Sequence, residues 1–123
     1  MERMVVHFAG EGSGVADLSW GQREILGAME RQRTWMPLPV RQPLPAGTTL
    51  EDVGEWLRYL MNRHQVLRTK LRYSAGGAPC QVVHASGDIA VDVVEAGDED
   101  PVEAARRMID RYVEHDFDFA RDW

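Results

Sequence analysis

Apolar and polar positions along the chain change period several times, and each change marks an element. "RMVVHFAG" at residues 3–10 is short and rich in β-branched residues, and "GEGSG" follows it, so it reads as a strand ended by a turn. From Leu18 the apolar positions recur at threes and fours: Leu18, Gln22, Ile25, Leu26 and Met29 share one stripe. This predicts a helix over "LSWGQREILGAMERQ", with Ser19 as N-cap and Gln22 completing a capping box. Gly27 inside it costs about 1 kcal/mol relative to alanine, so packing has to hold this helix. "MPLPVRQPLPAG" then brings four prolines, whose missing N–H groups and fixed φ preclude a helix or a central strand. It reads as a stiff, extended connection.

A second helix starts at Thr48 or Thr49, with Glu51 and Asp52 at the positive end of its dipole. Val53, Trp56, Leu57, Leu60, Met61 and His64 line one face of it. The side chains at 56, 57, 60 and 61 are each worth roughly 1.5–3 kcal/mol on burial. Past His64 the period drops to two, with Leu67, Thr69, Leu71 and Tyr73 on one face and Arg68, Lys70 and Arg72 on the other. "SAGGAP" turns the chain, and "CQVVH" and "IAVDVVE" continue as strands, which together suggest an antiparallel meander with one buried face. "DPVEAARRMIDRYVEH" closes the series as a helix, with Asp100 capping, Pro101 at the first helical position and Glu103 completing a box. Its apolar stripe is Ala105, Met108, Ile109, Tyr112 and Val113. The expected order is β-α-α-β-β-β-α, an α+β fold of helices packed on a mostly antiparallel sheet.

Composition changes this picture little. The 123 residues are 44% apolar and 28% charged, enough to bury a core in one domain and too apolar for wholesale disorder. The lone Cys80 lies in an apolar run and is expected to be a buried, inert thiol, so nothing points to an oxidising compartment. "MVVHFA" is too short for a signal-peptide core and no segment is apolar enough to span a bilayer, so a cytoplasmic protein without membrane association is expected. The net charge of −6 comes entirely from residues 95–118, where nine acids face Arg106, Arg107 and Arg111. An acidic balance argues against a general nucleic-acid binder, and the basic cluster of residues 58–72 has no aromatic platform beside it.

Candidate chemistry concentrates in "NRHQVLRTKL", residues 62–71. Arg68, Lys70 and Arg72 form a comb that can hold a phosphate or can simply be an exposed, charged strand face. His64 at a helix end can act as a base or can cap the last carbonyls. His7, His64, His84 and His115 lie far apart without HxxxH spacing, and Cys80 has no CxxC partner, so a metal site is not expected. "GEGSG" lacks the lysine of a phosphate loop, and no Ser, His and Asp set has a local signature.

The same stretch resembles the second conserved motif of nonribosomal peptide synthetase condensation domains, Arg-His-Glu-x-Leu-Arg-Thr-x-Phe. Arg63, His64, Leu67, Arg68 and Thr69 match, while Gln65 replaces the glutamate and Leu71 the phenylalanine. "LSWGQREI" is similar to the first motif, Ser-x-Ala-Gln-x-Arg: Ser19 and Gln22 fit, and Gly21 stands in for alanine. "GGAPCQVV" is placed like the family's Gly-x-Pro-x-Gln-x-Val hairpin, and "FDFARDW" resembles its Pro-Phe-Asp-Leu segment. The resemblance implies a partial chloramphenicol-acetyltransferase-like first lobe, spanning residues 1–123 as about the first quarter of a condensation domain. It implies that Ser19, Gln22, Arg63, His64, Leu67, Arg68 and Thr69 brace the active-site scaffold. The family joins acyl and aminoacyl thioesters through amide or ester bonds, with the substrates held on phosphopantetheine arms of peptidyl carrier proteins. Its catalytic pattern, His-His-x-x-x-Asp-Gly, has no counterpart here, so no catalytic residue and no bound cofactor are expected in this chain. The rest of the condensation domain and carrier proteins are the implied partners, and unpaired sheet edges lead to an expectation of self-association. The alternative is a freestanding truncated homologue that serves as a docking module.

Overall fold

The computed structural model describes residues 2–123. It is an α+β fold of three helices on two antiparallel sheets, with elements in the order β1 (Glu2–Ala9), β2 (Gly14–Asp17), α1 (Trp20–Gln32), α2 (Leu50–Arg63), β3 (Thr69–Arg72), β4 (Cys80–Val83), β5 (Ser86–Val93) and α3 (Pro101–Glu114). Apart from β2, this is the order that the apolar periods predict. One sheet pairs β1 with β5; the other has the order β2-β4-β3.

The strand pairing departs from a meander. Both edges of β4 are taken, by β2 on one side and β3 on the other. His84 and Ala85 then lead the chain away, and β5 runs antiparallel to β1 from Ala9↔Ser86 to Glu2↔Val93. Each ladder runs one residue further toward this crossing: the Gly10 N–H donates to Ala85 O beyond the β1–β5 pair, and the His84 N–H donates to Arg68 O beyond the β3–β4 pair, both at 2.8 Å. β2 is short and wholly exposed, without the alternation that signals a strand.

The core sits where β1 meets α2. Val6 and Phe8 are buried and Val5 and His7 exposed, the period-two pattern of a strand with one covered face. α2 lays Gly54 against Met4 and Val6, and Met61 is buried further along the same helix. Trp56, expected on the buried stripe, is 50% exposed. In α1 only Leu26 is buried, beside Leu18 just before the helix; Ile25 is 56% exposed.

The caps follow local chemistry closely. Ser19 and Gln22 form the expected box on α1, and Thr49 and Asp52 form a second on α2. These bonds to the Thr49 backbone and hydroxyl hold the Asp52 carboxyl below its ordinary range. On α3, the Asp100 carboxylate accepts from the Val102 N–H as expected, but Glu103 turns outward to Arg106 and leaves the box open. α3 is fastened to the β1–β5 sheet by the Tyr112 hydroxyl, which donates to the Asp92 carboxylate at 3.0 Å, and Arg3 holds the other oxygen. Arg3 first and Tyr112 second lower the Asp92 pKa, and burial together with Asp92 raises that of Tyr112.

Candidate functional site

The comb of Arg68, Lys70 and Arg72 does not exist as a face. Gln65–Arg68 forms a 3₁₀ turn after α2, so regular strand alternation starts only at Thr69. That turn reverses the expected sides: Arg68 is 1% exposed, whereas Leu67 is 43% exposed. Arg68 points inward and its guanidinium donates to four backbone carbonyls. Nε reaches Met61 O at 2.8 Å, Nη1 reaches His84 O at 2.8 Å and Gly12 O at 3.1 Å, and Nη2 reaches Glu11 O at 2.8 Å. No carboxylate pairs with it among the described residues.

Each acceptor has a physical reason to need a donor. Met61 lies in the last turn of α2, where carbonyls lack intrahelical partners and the negative end of the dipole favours a cation. Glu11 and Gly12 belong to the turn after β1, and His84 to the crossing between the sheets. One side chain therefore joins a helix end, a turn and a strand crossover. Neighbours complete the junction: Gln65 Nε2 donates to Glu11 O at 3.2 Å, and the Asn62 side-chain oxygen accepts from the Ala9 N–H at 2.8 Å. Gly10 has to be glycine, because a Cβ there would lie 2.6 Å from both Arg68 Cζ and Asn62 O.

The other motif residues divide into two groups. Gln22 Oε1 accepts from the Ser19 N–H at 2.7 Å and lies 3.3 Å from Gln81 Nε2, which also donates to Asp17 O at 2.9 Å. Ser19, Gln22 and the glutamine of "GGAPCQVV" thus meet where β2, β4 and α1 join. Thr69 donates its hydroxyl to Gln65 O at 2.8 Å and closes the 3₁₀ turn. Arg63 and His64, by contrast, are exposed. His64 is the C-cap of α2 through its backbone N–H to Leu60 O, and its ring has no hydrogen-bond partner among the described residues. Leu67 faces outward beside them.

Asn62, Gly10 and Trp123 belong to the junction or its surroundings and were not singled out in the sequence, and Gln65 was marked only as a departure from the motif. The terminal "FDFARDW" segment returns along β3, where the Leu71 N–H donates to Phe119 O at 2.8 Å. It seats Trp123 edge-on to Phe8 and to His84, with ring centroids 5.1 and 5.3 Å apart. Lys70 Nζ sits 3.6 Å from the Trp123 ring centroid and donates to Arg121 O, so the second tooth of the comb is a tail anchor. Cys80 is half-buried on β4. No three His, Cys, Asp or Glu side chains converge on a metal-sized site among the described residues.

Comparison with protein-family models, curated proteins and solved structures finds no match for this chain. The resemblance to condensation motifs rests on the residues themselves. An open concavity lies away from all of them. Residues 35–44, an extended proline-rich strap, run beside α3 and enclose an open apolar groove of about 1110 Å³. Ala105, Met108, Ile109 and Val113 of α3 form its floor, and the Trp35 indole N–H donates to Val113 O at 3.0 Å to pin one end of the strap. No described helix is long and apolar enough to cross a membrane.

Proposed function

We propose that this chain is the N-terminal scaffold of a nonribosomal peptide synthetase condensation domain, with a chloramphenicol-acetyltransferase-like first lobe. The observation that carries the reading is the engagement of Arg68. The resemblance implies a bracing role for this arginine, and its four carbonyl contacts are those of a brace. A guanidinium whose donors are occupied by backbone carbonyls is not presented to a phosphate or a substrate. Gln22 and Gln81, drawn from two further motifs, meet in a second, half-buried contact. In this reading the chain's residues position a lobe, and the paired histidines, the carrier-protein docking sites and the phosphopantetheine-bound substrates belong to other segments and partners. The protein works in the cytoplasm, where such assembly enzymes meet their carriers.

The coding region beyond Trp123 tests this most directly. A reading frame that continues into a His-His-x-x-x-Asp-Gly pattern supports the proposal, and the extended protein is expected to join carrier-bound thioesters. A stop codon directly after Trp123 overturns it in favour of a second reading, a freestanding interaction module. The open apolar groove along α3 is the observation that favours that second reading.

A further inference from the structure

Strand edges in this fold are closed by different means, and that of β5 is left open. The bond from the Gly10 N–H to Ala85 O fixes the phase of the β1–β5 ladder. Gly87, Ile89, Val91 and Val93 turn their backbone groups toward β1, so Ser86, Asp88, Ala90 and Asp92 turn theirs outward. The same phase puts His7 O and the Ala9 N–H on the outer side of β1, where α2 meets them. Arg58 Nε donates to His7 O at 2.9 Å, and Asn62 Oδ1 accepts from the Ala9 N–H at 2.8 Å. On β3 the outward Leu71 N–H is taken by Phe119 O, and β2 is only four residues long. Along the eight residues of β5, no outward backbone group has a hydrogen-bond partner among the described residues. Neither proline nor lysine guards this edge. Cover over the sheet also thins toward it: Ile89 pairs with the buried Val6 but is itself half-buried, as are Val91 and Val93.

We propose that this edge pairs with β5 of a second copy of the chain, antiparallel across a two-fold axis at Ile89, in a weak and reversible dimer. Nothing in the pairing depends on the condensation reading. The edges that a second copy has to offer select its β5. α2 stops β1, the tail stops β3 and β2 is half the length, so β5 meets its own counterpart and the assembly closes at two copies. Charge selects the register. Outward residues must oppose outward residues, and the axes that overlap the strands most lie at Ile89 and Ala90. An axis at Ala90 sets Asp88 directly opposite Asp92 of the other copy, which like charges disfavour. An axis at Ile89 sets Asp88 opposite Ala90 and Asp92 opposite Ser86, whose hydroxyl is a donor, and no acid faces an acid. Each opposed outward pair then exchanges both of its backbone bonds, and the two Ile89 side chains meet on the core face. The two-stranded sheet becomes part of a four-stranded one, past the size at which a lone hairpin is marginal. Main-chain bonds supply most of this contact and its area is small, which places it among weak, concentration-dependent interfaces and not obligate ones.

Amide hydrogen exchange followed by NMR at rising protein concentration tests the pairing residue by residue, with sedimentation velocity reporting the rise from the 14.0 kDa monomer. The Gly87, Ile89 and Val91 amides, bonded to β1, should be protected at every concentration. Those of Ser86, Asp88, Ala90 and Asp92 should exchange freely in dilute monomer and slow at least about tenfold as the dimer forms. Ala90 is exposed on the face away from the core, so variants there should keep the fold. Ala90→Asp puts a carboxylate opposite Asp88 of the other copy, twice by symmetry, and should weaken the dimer about tenfold. Ala90→Lys puts an ammonium in the same place and should tighten it about threefold at low salt. A monomer at every concentration overturns the proposal, as does a dimer whose outward amides stay unprotected. Outward amides already protected in dilute monomer would give the edge to another part of the chain and also overturn it. Aspartate and lysine variants that act alike would refute the register at Ile89, and the proposal with it.

Discussion

Replacing Arg68 with alanine removes donors from four carbonyls at once, and the cost can be built from where those carbonyls lie. Glu11 and Gly12 belong to an exposed turn, so water replaces most of what their oxygens lose. Met61 is buried and His84 half-buried, and each is left with an acceptor that water reaches poorly. An unsatisfied buried acceptor costs about 1–3 kcal/mol, and a lost hydrogen bond from a charged donor about 1.5–3 kcal/mol. The hollow left by the guanidinium adds to this, while relief from holding a cation out of water offsets part of it. The net expectation is a loss of about 3–5 kcal/mol, a large share of a stability of roughly 5–15 kcal/mol. At about 4 °C per kcal/mol, the thermal midpoint should fall by about 12–20 °C. Circular dichroism melts of wild type, Arg68→Ala and Arg68→Lys measure it. Lysine keeps a cation at the end of α2 but lacks the planar fork, so it should recover less than half of the loss. An Arg68→Ala protein that melts within about 1 °C of wild type would refute the bracing role and with it the main support for the proposed function.

Gly10→Ala should destabilise strongly, because its Cβ meets Arg68 and the Asn62 backbone, whereas Gly21→Ala, in open space on α1, should gain about 0.5–1 kcal/mol; chemical denaturation of both separates them. Asp52 and Asp92 titrate below their ordinary range when folded, so the stability they contribute is complete above the unfolded carboxylate pKa and lost as pH falls through the lower folded values. Thermal midpoints should accordingly decline on the acid side, and Asp92→Asn should flatten that decline. Offered to acyl- and aminoacyl-loaded carrier proteins, the chain alone should form no amide above background, and product formation would show that it supplies a base of its own.

Which features could be read from sequence depended on how local their causes are. The Ser19 box joins residues three apart and formed as the pattern implied, and of Thr48 and Thr49 it is Thr49 that caps α2, in a further box with Asp52. Glu103 sits at the same spacing, yet Arg106 offers it a charged partner one turn on and wins. Apolar periods located four of the five strands and the β3–β4 hairpin, but not the partner of β5, since pairing it with β1 instead of β4 depends on contacts across most of the chain. β2 was missed because four exposed residues carry no alternation. The inward turn of Arg68 was hidden for another reason. Its partners are main-chain carbonyls from three segments, and a carbonyl leaves no mark on the residue that bears it. Only Gly10 recorded the close approach, and within "GEGSG" it passed for an ordinary turn residue.

The register of β1 with β5 also governs how the protein can be made. His7 and Asp88 face each other across that ladder from positions 81 apart. A ribosome adding about 5–20 residues per second therefore leaves the first strand without its partner for about 4–16 seconds. During that interval Val6 and Phe8, later the centre of the core, remain on a nascent segment whose own sheet has not yet been synthesised. The β2-β4-β3 sheet cannot assemble much sooner, because β4 follows β2 by a similar stretch of chain. Contacts this distant make for slow closure once the chain is free. Production at low temperature, or alongside a chaperone that shields extended apolar segments, should therefore raise the yield of soluble protein more than any change to the helices.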